Sequence, residues 1–407
     1  MSTARLHPKA TVAFLLTGLY SAAEALCSIF VTVYLWINSH DLNLICRYYI
    51  ALFVVTPIFF VLAGWYSQVR DRLHVYRLGL ILHAVYYGAL LLLRERAPDY
   101  AVALGALLGV TWGAYWGGAN TINYDVTTHG KRELFYGLLG AVTNLARLAA
   151  PPLGGLIIQL SDDRLQGYHR LFAAVLALYI LAFALSYRLP EDKERRPFRI
   201  RRALFPGRDQ VDWRYVMLAS ASLAGSFHIF SILLGLLMYL ETNDEVSVGG
   251  FASYQALVAI AVSTLLGRYM RPATRGRYMM IASVLLFAGG FLFFTEITAM
   301  TLIAFGLIRS ASMSMFGIGH FSLRMEIIAN SAEDPSQRIE YLCAWEIPLA
   351  IGRVVMMLCL MMLSTYFAEN GLGIRAALFL LCTLRLVTYG LLAHTSPLKG
   401  PEAQPAL

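Results

Sequence analysis

Six ionisable side chains lie inside long apolar stretches of this chain, and they are the first candidates for chemistry. A charged group in hydrocarbon costs about 3 kcal/mol on insertion scales, so such residues are by default functional. Burial disfavours the charged form of a carboxylate, so Glu24 is a candidate proton carrier that alternates between a proton and an arginine. The other five are Arg147, Arg309, Glu346, Arg353 and Arg385.

The composition indicates that these apolar stretches cross a membrane. Hydrophobic residues make up 58% of the 407 residues and charged residues 14%, against about 45–50% and about 25% in soluble domains. Runs long enough to cross a bilayer, about 20 residues each, occur six times in each half. The predicted spans are 10–37, 46–69, 76–93, 100–122, 134–160 and 170–187 in the first half, and 215–240, 251–270, 278–295, 298–322, 338–364 and 372–394 in the second.

The polar segments predict the domain organisation and the orientation. We expect an N-terminal six-helix half at 1–188, a charged linker at 189–214, a C-terminal half at 215–394 and a tail at 395–407. Of the 33 lysines and arginines, 23 fall in the termini, the linker and the loops on one side, and 6 on the opposite side. Basic loops face the cytoplasm, so both termini and the linker are predicted to be cytoplasmic. The net charge of +8 therefore indicates orientation in a cell (plasma or inner) membrane rather than nucleic-acid binding.

An internal repeat and one motif connect this chain to a known family. An offset of 206 residues places Arg132 on Arg338 and Arg147 on Arg353, which indicates two halves in parallel orientation. The fifth span carries Ala150-Pro151-Pro152-Leu153-Gly154-Gly155. Twelve spans, a central linker and parallel halves resemble the major facilitator superfamily, whose fifth span often carries Gly-Pro-x-x-Gly-Gly. The superfamily's Gly-x-x-x-Asp-Arg-x-Gly-Arg-Arg loop motif is degenerate here, at Gly64–Arg72.

The resemblance implies an all-α membrane protein with twelve transmembrane helices and a cavity lined by spans 1, 4, 7 and 10. It implies a secondary active transporter that works by alternating access. The proline-glycine motif is common among exporters, and the excess of intramembrane arginines favours an anionic or amphipathic organic solute, exported with proton coupling. Two alternatives remain: a receptor or assembly factor that has kept the fold and lost transport, and a lipid or lysolipid translocator.

Site residues are predicted for three roles. Glu24 is the predicted proton-coupling residue, although an ion pair with Arg147 or Arg309 would instead hold it ionised. The substrate-binding prediction comprises Arg147, Asn144, Arg309, Trp112, Trp116 and Asn120. Structural roles are the alternative for each: helix pairing for Arg147, a contact between the halves for Arg309, and packing for the aromatic residues of span four. The gate prediction places inter-half ion pairs at Arg132, Asp125, Glu326 and Arg338, in the loops after spans four and ten, with solvated surface charge as the alternative.

Further patterns limit the function classes. The fourth span carries a glycine ladder, Gly105, Gly109, Gly113 and Gly117, which predicts close helix packing. The five cysteines form no C-x-x-C pair, so we expect neither a disulfide framework nor a zinc site. No nucleotide-binding, hydrolase or metalloprotease motif occurs. We therefore expect a monomer that binds a small-molecule substrate among membrane lipids, with no enzymatic activity, cofactor, metal or nucleic acid.

Overall fold

The computed structural model describes residues 8–125, 132–189, 195–334, 337–367 and 371–399, and within these ranges the regular structure is entirely helical. The first half contains α1 (Pro8–Ser39), α2 (Leu42–Tyr66), α3 (Arg72–Leu93), α4 (Ala101–Asp125), α5 (Arg132–Gln159) and α6 (Arg164–Ser186). A short helix α7 (Ile200–Leu204) follows. The second half contains α8 (Val211–Ala224), α9 (Phe230–Thr242), α10 (Glu245–Tyr269), α11 (Arg275–Gly290), α12 (Ala299–Ser331), α13 (Arg338–Tyr366), α14 (Leu372–Leu392) and α15 (Ser396–Lys399).

The apolar segments of the described residues reproduce the twelve predicted spans. Ten segments are long and apolar enough to cross a membrane. One of them, Leu42–Asn120, has 79 residues and contains the three helices α2, α3 and α4. Another, Val211–Thr242, contains α8 and α9, which are joined by the π-helical turn Gly225–Ile229. The prediction of twelve transmembrane helices is confirmed.

The chain divides into two compact units. Unit 1 comprises Met1–Phe198 together with Asn243–Ser253, and unit 2 comprises Arg199–Thr242 together with Tyr254–Leu407. The first turns of α10 therefore group with unit 1, although the sequence assigns the whole helix to the second half. The boundaries predicted from the sequence assign the charged linker to neither half. Helix α7, which lies in this linker, packs on unit 2. There the Trp213 indole donates a hydrogen bond to the Ala203 carbonyl of α7 at 2.7 Å.

The glycine ladder of α4 packs α4 tightly against α2 in unit 1. A Cβ atom on Gly105 would lie 2.1 Å from the carbonyl oxygen of Tyr48, and one on Gly113 would lie 2.6 Å from Cβ of Phe59. Residues larger than glycine would force the two helices apart. The packing role predicted for the ladder is confirmed.

Two other helices pack closely against the proline-glycine motif of α5. A Cβ on Gly154 would lie 2.5 Å from the Leu26 carbonyl oxygen of α1, and one on Gly155 would lie 2.5 Å from the Glu245 carbonyl oxygen of α10. From α10, the hydroxyl of Ser253 donates to the Leu148 carbonyl of α5 at 2.5 Å. The motif therefore positions α1, which carries Glu24, and the first turns of α10 within unit 1.

Candidate functional site

Glu24 lies on α1 beside a cluster of aromatic rings in unit 1. Its carboxylate Oε2 accepts a hydrogen bond from the Tyr179 hydroxyl of α6 at 3.4 Å. The Tyr179 ring stacks on His83 of α3, with 4.7 Å between the ring centroids. Tyr20, one turn before Glu24, stacks on Tyr115 of α4 at 3.5 Å. The proton-carrier candidate is therefore half-buried and has a hydroxyl partner that could relay a proton.

Arg147 of α5 lies within electrostatic range of Glu24 but forms no ion pair with it, and both residues are fully described. Its side chain is exposed, and Asn144, one turn earlier, is half-buried. The ion pair considered for Glu24 is therefore not formed in this conformation. An exposed guanidinium near a half-buried carboxylate can bind an anion or approach the carboxylate, depending on whether Glu24 holds a proton.

The remaining predicted substrate residues of unit 1 all lie on α4. Trp116 is 41% exposed, and its ring contacts the Tyr20 ring edge-to-face at 5.8 Å. Asn120, one turn later, is exposed, whereas Trp112 is half-buried. Trp116 and Asn120 thus reach an accessible surface, whereas Tyr115, directly before Trp116, is buried and belongs to the packed aromatic cluster.

Arg309 of α12 is the predicted substrate residue of unit 2, and it is buried, with 8% of its surface exposed. Its guanidinium donates to Oε1 of Gln255 on α10 at 2.9 Å and to Oγ of Ser231 on α9 at 2.7 Å. A longer bond of 3.4 Å reaches the Phe227 carbonyl. Its Nε is buried without a hydrogen-bond partner. All three acceptors are neutral, and no carboxylate among the described residues forms an ion pair with this cation.

Four further arginines are buried among the described residues of unit 2, and packing or pairing accounts for each. Arg275 of α11 forms an ion pair with Glu326 of α12. Arg353 forms an ion pair with Glu346, seven residues earlier on the same helix. Arg385 lies over the Phe316 ring at 4.4 Å. Arg324 lies over the Trp345 ring at 3.6 Å, a distance at which cation–π attraction is favourable.

Two of the predicted gate residues, Glu326 and Arg338, lie on helices α12 and α13. Helix α12 continues through Ser331, so Glu326 lies on a helix, and the predicted loop position is wrong. Glu326 forms an ion pair with Arg275 of α11 inside unit 2. Arg338 is the first residue of α13. The side chains of Asp125 and Arg132 lie outside the described residues.

Metal and disulfide chemistry has no support in the part of the chain that the structure describes. No group of three or more His, Cys, Asp or Glu side chains there is arranged to hold a metal ion. The five cysteines are all free.

Several residues of these sites could not be identified from the sequence. Gln255 and Ser231 are ordinary polar residues within spans and become noticeable only through their contacts with Arg309. Tyr179 and His83 likewise become significant only through Glu24. His83, a buried histidine inside a span, is the one residue whose type alone could have been noted.

The sequence model of the Major Facilitator Superfamily matches residues 12–338. The chain belongs to this superfamily. It is therefore a multi-pass membrane protein of a superfamily of membrane transporters. It is 28% identical over 370 residues to the "Uncharacterized protein YqgE" of Bacillus subtilis (strain 168), a match that covers 90% of this chain and 86% of the relative.

Solved structures of the same fold include transporters with different substrates. The nucleoside transporter NupG superimposes with a TM-score of 0.69 at 13% identity, covering 95% of this chain and 99% of that chain. A bacterial homologue of the iron transporter ferroportin, in an inward-facing state, superimposes with a TM-score of 0.69 at 15% identity, covering 94% and 97%. A nucleoside transporter and a homologue of an iron transporter share this architecture, so the substrate has to be argued from the side chains.

Proposed function

We propose that this protein is a secondary active transporter that exports an anionic organic solute across the cell membrane by alternating access, coupled to protons. The surroundings of Arg309 are the observation that supports an anionic solute. A buried cation without an anionic partner loses several kcal/mol of solvation, on the order of what an ion pair restores. An anionic ligand at Arg309 would supply the missing negative charge.

The neutral groups around Arg309 support a binding role over a structural one. Arg353 pairs with the carboxylate of Glu346, and the guanidinium of Arg385 lies over the Phe316 ring. Arg309 is instead held by an amide and a hydroxyl on α10 and α9. These two groups fix the guanidinium in place without neutralising its charge. Helices α9, α10 and α12 thus hold the positive charge of Arg309 in a fixed position, where an anionic ligand could pair with it.

Glu24, Tyr179 and Arg147 support proton coupling in unit 1. An ionised Glu24 attracts the nearby Arg147 guanidinium, and a protonated Glu24 does not. Tyr179 donates a hydrogen bond to the carboxylate and so orients the group that would carry the proton. The protonation state of Glu24 would therefore decide whether Arg147 is available to an anion. The proline-glycine motif of α5, common among exporters, supports the outward direction.

Transport in proteoliposomes tests the proposal. Vesicles that contain the purified protein are loaded with a panel of organic anions, cations and neutral solutes, and flux is followed with and without a pH gradient. We expect flux of anions, and its loss in Arg309→Gln. Arg277→Gln, which removes the same charge at an exposed position, should transport like the parent.

Proton coupling is tested separately with Glu24→Gln in the same vesicles. We expect the response of anion flux to the pH gradient to disappear. A variant that keeps the pH response of the parent would contradict the role of Glu24. Absence of flux for every solute, with a correctly folded parent, would contradict transport itself and favour a receptor or assembly factor.

A further inference from the structure

A second buried cation lies close to Arg309 in unit 2. Arg385 of α14 is 1% exposed, and its Nη2 donates a hydrogen bond to Sδ of Met313 on α12 at 2.7 Å. Met313 follows Arg309 by one helical turn, which is about 6 Å along the axis of α12. The two guanidinium groups also lie within electrostatic range of each other. Arg309 and Arg385 therefore form a pair of neighbouring positive charges inside one unit.

The groups around Arg385 do not neutralise its charge. No carboxylate among the residues that the structure describes forms an ion pair with it. Its guanidinium lies 4.4 Å from the centroid of the Phe316 ring, and its hydrogen-bond acceptor is a thioether, which is neutral and weak. The Cys382 thiol near both arginines is free, and a thiol is mostly neutral at pH 7. The ring contact thus explains how Arg385 packs and leaves its charge uncompensated.

Two other buried arginines of unit 2 show what compensation looks like in this protein. Arg353 has the carboxylate of Glu346 beside it, and Arg275 has that of Glu326. The pair formed by Arg309 and Arg385 has neither, and the Nε atoms of both are buried without a hydrogen-bond partner. Neighbouring cations in a medium of low dielectric constant repel each other. One negative charge at this pair would offset one of the two cations, and two negative charges would offset both.

The two arginines differ in how a ligand could reach them. Arg309 donates to Oγ of Ser231, which is an exposed residue, so the Arg309 guanidinium lies next to an accessible surface. Arg385 is almost completely covered and cannot touch a ligand in this conformation. Its charge nevertheless acts on a ligand at Arg309, because electrostatic attraction in a protein interior extends beyond contact distance.

We propose that the transported solute is a small dianion that binds at Arg309, and that Arg385 selects for its second negative charge through space. This inference rests on the proposed function and adds the charge of the substrate to it. Short dicarboxylates and phosphate monoesters are the chemical classes that fit, because both hold two negative charges close together. A phosphate monoester carries nearly two negative charges above its second pKa of about 6. Arg385 is thus a specificity-determining residue that does not contact the solute.

The expected effect of Arg385 follows from Coulomb's law. Since Met313 lies one turn from Arg309, a separation on the order of 8 Å between Arg385 and a bound charge is appropriate. At an effective dielectric constant of about 20, an attraction over about 8 Å changes a dissociation constant about 30-fold. Each negative charge of the ligand should gain about this factor. Arg385 should therefore favour a dianion over a matched monoanion about 30-fold.

Calorimetric binding to the full chain in nanodiscs of neutral lipid tests the charge preference. The probes are two matched pairs, phthalate with benzoate and phenyl phosphate with methyl phenyl phosphate, at about pH 8, above the second pKa of a phosphate monoester. The members of a pair share an aromatic ring and differ in charge. We expect the parent to bind the dianion of at least one pair about 30-fold or more tighter than its monoanion. The pair that shows the preference identifies the acid group.

Arg385→Gln tests the role of the second arginine. We expect the ratio of the two dissociation constants to fall about 30-fold, whereas a purely structural role would weaken both members of a pair alike. Arg385→Lys keeps the charge and should restore the parent's ratio. Arg385→Met, whose apolar side chain retains contact with Phe316, replaces Arg385→Gln in the test if the glutamine variant does not fold.

Arg324→Gln is the matched control for the loss of a buried arginine. Arg324 is 7% exposed and lies over the Trp345 ring, much as Arg385 lies over Phe316. It is, however, about 22 Å further along α12 than Arg309. Its removal should change the ratio of the dissociation constants by less than about fourfold.

The outcomes separate this inference from the proposed function. If each monoanion binds as tightly as its dianion and Arg309→Gln removes all binding, the dianion is wrong and the anion site stands. If the parent prefers dianions but the uncharged Arg385 variant keeps the parent's ratio, the selective role of Arg385 is wrong. If none of the four probes binds although an organic anion is transported in vesicles, the dianion inference fails alone. If no anion is transported, the proposed function fails as well.

Discussion

Glu245 holds the first turn of α10 to α6 in unit 1, and its neutralisation should release that turn. The side chain is buried, with 4% of the residue exposed. Its carboxylate Oε1 lies 2.9 Å from Arg164 Nε and accepts from the Tyr168 hydroxyl at 3.1 Å. Oε2 accepts from Arg164 Nη2 at 3.3 Å. Glu245→Gln keeps the size of the side chain and removes its charge.

The expected size of the effect follows from these contacts. A hydrogen bond to a charged group contributes about 1.5–3 kcal/mol, and the glutamine carbonyl preserves part of the contact. The Arg164 side chain is 37% exposed, so water screens the pair, and a value in the lower part of this range is appropriate. We expect a loss of about 2 kcal/mol, or about a 30-fold larger open population.

Amide hydrogen exchange in lipid nanodiscs measures this population, because protected amides exchange in proportion to local opening. The peptide that covers Val246–Ser253 should exchange about 30-fold faster in Glu245→Gln, with α12 peptides unchanged. Glu241→Gln removes the same charge four residues earlier, at an exposed position, and should exchange like the parent. Equal exchange in the two variants would refute the reasoning.

Three further perturbations follow from contacts within single units. Gly113→Leu should overpack α4 against α2, lower the free energy of unfolding by about 1–3 kcal/mol and lower the thermal midpoint. Gly88→Leu is the control, because a Cβ there would meet no atom within 4 Å, and its thermal midpoint should equal that of the parent. Asp244 caps α10, because its carboxylate accepts a hydrogen bond from the Ser247 N–H at 2.7 Å. Burial alone would raise the pKa of this carboxyl. Hydrogen bonds from Ser247 and Val246 and the charge of Arg164 instead hold the pKa below its ordinary value. A carboxyl whose pKa is lower in the folded than in the unfolded state stabilises the fold at pH values above its unfolded pKa. Asp244→Asn should therefore lower the free energy of unfolding by about 1 kcal/mol at pH 7. In a pH series, the difference in thermal midpoint between the parent and the variant should narrow below about pH 4. Glu346→Gln and Arg353→Gln should each lower the free energy of unfolding by about 3–5 kcal/mol, and the double variant should lose less than the sum of the two. Unfolding by denaturant measures these losses. Losses that simply add would contradict an ion pair between the two residues.

The fold could be predicted from local sequence because each span must satisfy a local requirement. A helix that crosses hydrocarbon needs about 20 apolar residues and forms its backbone hydrogen bonds within itself. Twelve such runs were therefore visible without any tertiary information. The α4 glycine ladder was readable for the same reason, since close helix approach requires small residues at a fixed spacing.

The prediction for the region after span ten was wrong because hydropathy and helix length differ there. The apolar run ends near residue 322, and the charged residues beyond it, such as Glu326, resemble a loop. Helix α12 nevertheless continues to Ser331, because Arg324 packs on Trp345 and Glu326 pairs with Arg275. Those partners lie on other helices and are not visible in a local window.

The sequence by itself determined the membrane class, the number of spans and the small set of charged residues inside them. Only the tertiary structure decided which of those charges are neutralised. Arg353 has a carboxylate on its own helix, whereas Arg309 meets Gln255 and Ser231, which are 54 and 78 residues away along the chain. Pairing within one helix follows from spacing, but contacts between helices depend on how the helices pack. Among the residues that the structure describes, that packing gives the buried Arg309 guanidinium neutral acceptors and no anionic partner.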